Sequence, residues 1–364
     1  GAGAIPADAI LGVKFHVSSR SEARRVSGAV CPGAISGSRR REPLSQATVQ
    51  ELAAENSRRP LCVDLDGTLV KSDTLVDSLL LLLRSQPLAA LQVPLWLLRG
   101  KAALKAEVSA RVALDAQHLP YNRALLEYLT AQRAEGRQLY LATGADERLA
   151  QRIADHVGLF EGVLASDGSV NRTGGRKLDG LRQAFGEQGY DYVGNAGQDM
   201  PLLQHAQAAM IANPAPALRA RLRSRGIGVR QVFRDRARPG KSFLKAIRVH
   251  QWAKNVLIFL PVLLAHHFGA HDLLEAAIAF ASFSLCASAT YIFNDLLDME
   301  ADRQHPRKRL RPFAAGDLSA AAGAAIGAVF LGGSLAMAAA WLPREFLTWL
   351  LLYLAGTVTY SVYL

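Results

Sequence analysis

The stretch VDLDGTLV, Val63 to Val70, sets two carboxylates two positions apart, directly after an apolar run and directly before Gly-Thr. Side chains at i and i+2 of an extended segment share a face. Asp64 and Asp66 are therefore predicted to project together from the C-terminal end of a strand that turns at Gly67. Open α/β sheets place their sites at that edge.

Working outward, the segments LCVDL, RQLYLAT, FEGVLAS and YDYVGN read as short strands, and ERLAQRIADHVGLF carries apolar residues at helical spacing. Strands alternating with helices predict a parallel sheet covered on both faces, a Rossmann-like α/β domain over residues 59–235. The segment LLLLLRSQPLAALQVPLWLL is very apolar, but Arg84, Pro87 and Pro94 interrupt it. A bilayer span needs about 20 mostly apolar residues. The segment is instead expected to be part of a helical cap, at about 70–120, or an element lying on a surface, with the bilayer as one candidate. Residues 1–58, rich in Gly, Ala, Ser and Arg as in GAVCPGAISGSRRR, are expected to be a disordered tail.

After Gly240 the character changes. NVLIFLPVLLAHHFGA, LLEAAIAFASFSLCASATYIF, AAAGAAIGAVFLGGSLAMAAAW and FLTWLLLYLAGTVTYSVYL are nearly uncharged and separated by short loops. Residues 236–364 are predicted to be an all-α, multispan membrane domain of four spans, the first and fourth shorter than the other two, with small residues packing its helices in lipid. Lys241, Lys245, Arg248 and Lys254 precede the first apolar stretch. Arg303, Arg307, Lys308, Arg309 and Arg311 follow the second, and the loop HHFGAHD has neither Lys nor Arg. By the positive-inside rule the basic segments and the soluble domain face the cytoplasm of a bacterial-type inner membrane.

Across the whole chain of 364 residues, half are hydrophobic and the formal net charge is +11. Such an excess of base suits anionic lipid, phosphorylated substrates or nucleic acid. No base-stacking aromatic pattern accompanies it, so nucleic acid is not an expected partner. Cys31, Cys62 and Cys286 are scattered, without metal-ligand spacing, and point to no disulfide framework.

Adjacent carboxylates repel unless a cation or a shared proton offsets them. Mg²⁺ suits such a site because it takes hard oxygen ligands and leaves positions for phosphate. One carboxylate could then attack phosphorus while the other serves as general acid and base. Downstream, Thr143 in LYLATG could bond a phosphoryl oxygen, Lys177 in GGRK could neutralise phosphate charge, and Asp199 in YVGNAGQDM could add a metal ligand.

This set resembles the four motifs of the haloacid dehalogenase-like phosphohydrolases, in order, over about Pro60 to Arg234. The resemblance implies Asp64 as nucleophile, Asp66 as general acid/base, catalytic roles for Thr143 and Lys177, and Mg²⁺ held by Asp64, the Asp66 backbone carbonyl and Asp199. It expects a strand ending at Thr143. Where that family commonly has Gly-Asp, this chain has Gly194-Asn195, which removes a negative charge beside the metal.

The second cluster is NDLLDMEAD, Asn294 to Asp302. On one helix Asp295, Asp298 and Asp302 stand at i, i+3 and i+7 and form a stripe with Asn294. Acids at the end of a membrane span are costly to bury and point to function. Carboxylates about a turn apart could bind Mg²⁺ and, through it, a diphosphate gripped by the bases that follow.

YIFNDLLDMEADRQHPRKRLRPFAAG resembles the UbiA superfamily of membrane prenyltransferases. With IRVHQWAKNVLIFLPVLLA it looks like the decaprenyl-phosphate phosphoribosyltransferase subgroup. The resemblance implies transfer of phosphoribosyl from phosphoribosyl diphosphate to a polyprenyl phosphate. It implies a polar site of Lys254, Asn294, Asp295, Asp298, Asp302, Lys308 and Arg311, with Asp295, Asp298 and Asp302 as metal ligands. Family members carry further spans and a second acidic motif, so the sequence reads as a fragment lacking the catalytic second half, inactive as a transferase.

Joined in one chain, the two sites are expected to act in sequence, the phosphatase removing a 5-phosphate. Competing readings are an aromatic prenyltransferase using a prenyl diphosphate lipid and, from a different class, a degenerate phosphatase fold serving as a regulatory module.

Overall fold

The computed structural model describes residues 59–167, 171–266 and 268–363, all within one compact unit, Ala47–Leu364. The expected tail, with Cys31, lies outside the described residues.

The apolar run ahead of Asp64 forms β1 (Leu61–Val63). Four helices follow: α1 (Thr74–Ser85), α2 (Pro87–Ala90), α3 (Val93–Leu98) and α4 (Lys101–Arg111). They fill the segment read as a cap, and Pro87 and Pro94 each open a new helix, where a missing N–H costs nothing. Next come α5 (Arg123–Ala134), β2 (Leu139–Asp146), α6 (Glu147–Val157), β3 (Gly162–Ser166), α7 (Gly175–Phe185) and β4 (Asp191–Gly194). The half closes with α8 (Met200–His205), β5 (Ala209–Ala212), α9 (Pro216–Ser224) and β6 (Val229–Phe233).

All strand pairs are parallel, in the order β3-β2-β1-β4-β5-β6. The chain runs outward from β1 to β3 and then returns to β4 on the other side of β1. The C-terminal end of β1 is therefore the switch point, where such sheets leave a crevice. Alternation along β1 builds two cores. Leu61 and Val63 join Leu125, Leu129, Leu149 and Ile153 on one face, and Cys62 joins Leu178, Leu181 and Leu202 on the other.

The segment after β6 is docked by hydrogen bonds. Arg123 N–H donates to Asp235, Arg236 donates to the Lys71 carbonyl, and Ala237 N–H donates to Asp317. Beyond it lie α10 (Pro239–Ala246), α11 (Trp252–Asn255), α12 (Leu260–Leu264), α13 (Ala270–Leu297), α14 (Met299–Gln304), α15 (Ala320–Trp341) and α16 (Arg344–Tyr363). Among the described residues two helices, α13 and α15, are long and apolar enough to cross a membrane. The first apolar stretch differs from expectation. It forms short pieces, α11, a 3₁₀ segment Val256–Phe259 and α12, with Pro261 opening the last, and a proline inside a helix would remove a hydrogen bond.

Small residues let α13 and α15 approach. Ser282 and Ser334 each donate to the other's backbone carbonyl at 2.9 and 2.7 Å. Gly323 faces Phe313 so closely that an added Cβ would lie 2.4 Å from its ring. Gly323→Ala is expected to lower stability by roughly 1–3 kcal/mol through overpacking, read as a fall in thermal midpoint in detergent. An unchanged midpoint would mean that Phe313, buried in the structure, swings aside freely.

The two halves share a core. Val76 and Leu80 of α1 join the cluster of Ile292, Leu296, Phe313 and Ala320. Beside it, buried Arg303 of α14 donates to Asp77 of α1 at 2.8 Å and to Ser72 at 3.2 Å. Glu300 accepts from the Asp115 N–H at 2.8 Å. Burial pushes the Asp77 carboxyl up, with Arg303 pulling against it.

Candidate active site

Asp64 is the first residue after β1, and its N–H donates to the Val193 carbonyl of β4 at 3.0 Å. Its carboxylate accepts from the Lys177 ammonium at 2.7 Å and from the Thr68 hydroxyl at 3.2 Å. Lys177, on α7, also reaches the Tyr192 hydroxyl at 3.0 Å and lies 3.5 Å from Asp199. Tyr192 donates to Asp199 at 3.1 Å. The other Asp199 oxygen accepts from the Asn195 and Ala196 N–H groups. Four side chains, from the end of β1, from β4 and the segment after it, and from α7, thus form one buried, connected cluster.

Asp66 stands on the same turn, and its carboxylate accepts from the Thr74 N–H that opens α1, at 2.7 Å. The turn depends on Gly67, whose φ is +73° and whose added Cβ would sit 1.9 Å from the Asn195 amide. No side chain fits there without moving Asn195.

Burial pushes the Asp64 carboxyl up to about 6, against the pull of Lys177. Burial and then the Asp73 charge push Asp66 up to about 7. Burial works against the Lys177 ammonium, yet Asp64 and Asp199 hold it above the ordinary lysine value. At neutral pH the site holds a fixed cation, a largely ionised Asp64 and an Asp66 poised to carry a proton.

Thr143 is fully buried within β2, which runs past the expected end at Thr143 to Asp146. Its hydroxyl accepts from the Ala145 N–H at 3.0 Å, and it is the neighbouring Gly144 and Ala145 that line the cavity over Asp64. This cavity, of about 300 Å³, is walled on the cap side by Leu97, Lys101, Leu104 and Lys105. Lys105 donates to the Gly144 carbonyl at 2.5 Å and to Asn171 at 2.9 Å. Tyr192 and Lys105 were absent from the expected set. Tyr192 had a strand position as its signal, whereas Lys105 had nothing to distinguish it from other surface lysines.

The second cluster departs from the expected stripe. Helix α13 ends at Leu297 and α14 begins at Met299, with Asp298, at ψ of 3°, between them. Asp295 and Asp302 remain together, bridged by Arg311 at 3.0 and 2.7 Å. Asp298 is drawn to Arg84 of the cap helix at 3.6 Å instead. Arg248, stacked 4.5 Å from the centre of the Tyr291 ring, also donates to Asp295 at 2.7 Å. Lys308 lies 4.0 Å from Asp302. Lys254 is exposed on α11 and, among the described contacts, reaches none of the acids. Asn294 accepts the N–H of Asp298 through its backbone carbonyl at 2.9 Å.

Among the described residues no three His, Cys, Asp or Glu side chains are gathered closely enough to form a ready metal site. The donors nevertheless suit a hard divalent cation. Buried Asp64 and Asp199 share one lysine, Lys177, half-buried Asp66 stands on the same turn as Asp64, and the Asp302 Oδ1 oxygen is buried without a hydrogen-bond partner. Oxygen-rich, under-neutralised sites of this kind favour Mg²⁺ over softer ions.

Fold and site together define a Rossmann-like α/β domain with a helical cap, joined to a helical C-terminal half. Residues 255–364 match the model of the UbiA prenyltransferase family. The chain is 37% identical over 321 residues to an uncharacterized protein of Sinorhizobium fredii, covering 87% of this chain and 61% of that protein. It is 51% identical over 78 residues to the decaprenyl-phosphate phosphoribosyltransferase of Mycobacterium tuberculosis, covering 20% of this chain and 26% of that one. The chain thus spans about three fifths of the first relative's length and about a quarter of the second's. A solved structure, a HAD family hydrolase from Salmonella enterica, is similar over 50% of this chain and 76% of its own, with 14% identity and a TM-score of 0.36.

Proposed function

We propose that the α/β half is a Mg²⁺-dependent phosphomonoester hydrolase. The helical half would belong to a transferase that moves phosphoribosyl from phosphoribosyl diphosphate onto a polyprenyl phosphate. The observation that supports the first half is the connected set Asp64, Lys177, Tyr192 and Asp199 beneath a cavity lined by further lysines. In this reading Asp64 attacks phosphorus as the P–O bond to the leaving group breaks, and Asp66 gives its proton to the departing oxygen. Asp66 then takes a proton from water, which attacks the phosphorylated Asp64 and releases phosphate. Lys177 holds Asp64 in place and offsets phosphate charge, and Thr143 braces the β2 turn whose backbone faces the cavity. Magnesium, held by Asp64, Asp66 and Asp199, supplies the remaining counter-charge when bound.

For the second half, the support is the Asp295–Arg311–Asp302 bridge at the end of α13, in a segment matching UbiA. Asp295, Asp298 and Asp302 would hold Mg²⁺ and a diphosphate, with Asn294, Lys308, Arg311 and Lys254 around them. The product, a lipid-linked ribose 5-phosphate, would be the substrate of the phosphatase half. The chain would cross the membrane several times, with the α/β half on the cytoplasmic side.

The test is phosphate release from a polyprenyl-phosphoryl ribose 5-phosphate by the chain in detergent with Mg²⁺. Release that needs Mg²⁺ supports the reading, and no release from this substrate sinks it. Asn195→Asp is expected to lower the Mg²⁺ concentration for half-maximal rate several-fold, since it adds a charge beside Asp199. An unchanged magnesium dependence would place Asn195 outside the metal's reach.

A further inference from the structure

Helices α2 and α3 expose Leu88, Leu91, Leu95 and Leu98, at 81, 75, 61 and 84% of their surface. The four follow one another along one short stretch of the chain, an exposed leucine stripe. A soluble protein rarely leaves such a contiguous apolar patch in water. The patch is not a core left half-packed. On its inner side Trp96 is buried with Leu104 and Val108, and the Arg111 guanidinium lies over its ring at 4.4 Å. The pair of helices is anchored from beneath and holds its leucines outward.

Two observations indicate what covers them. The helix leading into the stripe, α1, packs through Val76 and Leu80 against the cluster holding Ile292, Leu296 and Ala320, with Phe330 beside it. Those residues lie at adjoining ends of α13 and α15, the two helices long and apolar enough to span. Arg84, Arg99 and Lys101 punctuate the stripe's ends, the pattern of a segment lying in an interface rich in anionic lipid. The next residue in from the stripe, Leu97, lines the cavity above Asp64 together with Leu104, Lys101 and Lys105. The cap wall of the cavity thus combines apolar side chains with lysines, which suits a molecule with a hydrocarbon tail and a phosphate head.

We propose that the leucine face of α2 and α3 is seated in the headgroup–acyl boundary of the same bilayer that α13 and α15 cross, and that the cavity receives a lipid-borne phosphomonoester directly from it. The second part rests on the phosphatase reading given above; the seating does not. The partner is lipid rather than protein, because the stripe continues from a helix already packed on the spans.

The experiment uses the chain in nanodiscs of phosphatidylcholine and phosphatidylglycerol. Leu98→Cys, on a Cys31→Ser background that leaves only the buried Cys62 and Cys286, carries an environment-sensitive dye. Quenching by lipids brominated on the acyl chain, with protection from aqueous iodide, is the expected result. Quenching by iodide alone overturns the seating, whether the stripe then faces water or another protein.

Leu88→Gln/Leu91→Gln/Leu98→Gln is then compared with the unsubstituted chain on phosphatidic acid in the disc and p-nitrophenyl phosphate in solution. The expected outcome is a loss of about tenfold or more on the lipid, with the soluble rate unchanged. Equal loss on both, or no turnover of the lipid while p-nitrophenyl phosphate is hydrolysed, overturns the lipid-borne substrate. Failure of the unsubstituted chain on both substrates overturns the phosphatase reading and the lipid-borne substrate with it, and leaves the seating to the quenching result.

Discussion

Asp64→Asn is expected to reduce phosphate release by roughly 10³-fold or more, with the fold intact. An amide oxygen keeps the shape of the carboxylate and can still accept from Lys177 and Thr68, but it is too poor a nucleophile to displace an ester from phosphorus. The stability side can be worked out from the direction of the shift. Burial raises the Asp64 carboxyl to about 6, so its contribution to stability is fully present below about 3.8 and is lost as pH rises through about 6. At pH 7.5 the ionised group is already a burden on the fold, and a neutral amide relieves part of it. Lys177 keeps Asp199 at 3.5 Å and Tyr192 at 3.0 Å as partners. The thermal midpoint should therefore stay within a few degrees of the parent. Wild-type rates in Asp64→Asn would remove the nucleophile, and a parallel loss of activity and folding would show Asp64 to be structural.

Both clusters were legible because their information is local. DLDGT carries its own strand end, turn and paired acids, and NDLLDMEAD carries its acids at helical spacing. Lys177 and Asp199, which follow later strands and turns in the sequence, lie beside Asp64, whereas β2 continues to Asp146 and Thr143 turns its hydroxyl to the backbone. Spacing alone could not show that Asp298 pairs with Arg84, far back in the chain. The same holds for Arg248 on Asp295 and for Lys105 beside Gly144. Each is a single basic residue whose local sequence resembles an ordinary surface or membrane-edge charge. Arg303 is the extreme case. It reads as one of several bases following a span, yet it is buried against Asp77, 226 positions away. Periodicity records which face of an element is apolar, and has no term for a lone charge whose partner arrives from another half of the molecule.

That pair gives the other large effect. Arg303→Met is expected to destabilise the contact between the halves by about 3–5 kcal/mol, the usual consequence of stripping one partner from a buried ion pair. Arg303 and Asp77 side chains are each 1% exposed, so water cannot take over the lost partner. Ser72 remains to donate to Asp77 at 2.6 Å, but one hydroxyl does not balance a full charge. The carboxyl is already raised by burial, and without the guanidinium it rises further. The variant should therefore recover part of its stability as the pH is lowered, because a carboxyl raised in the folded state favours folding in its protonated form. Adding Asp77→Leu should recover more, since an apolar pair of similar volume leaves no orphaned charge. In detergent the expected reading for Arg303→Met is a thermal midpoint lower by the order of 10 °C. Because α1 carries both Asp77 and the Thr74 N–H that holds Asp66, the phosphatase rate should fall with it. A midpoint unchanged in Arg303→Met, or a double variant no better than the single, would show that the Arg303–Asp77 pair does not hold the halves together.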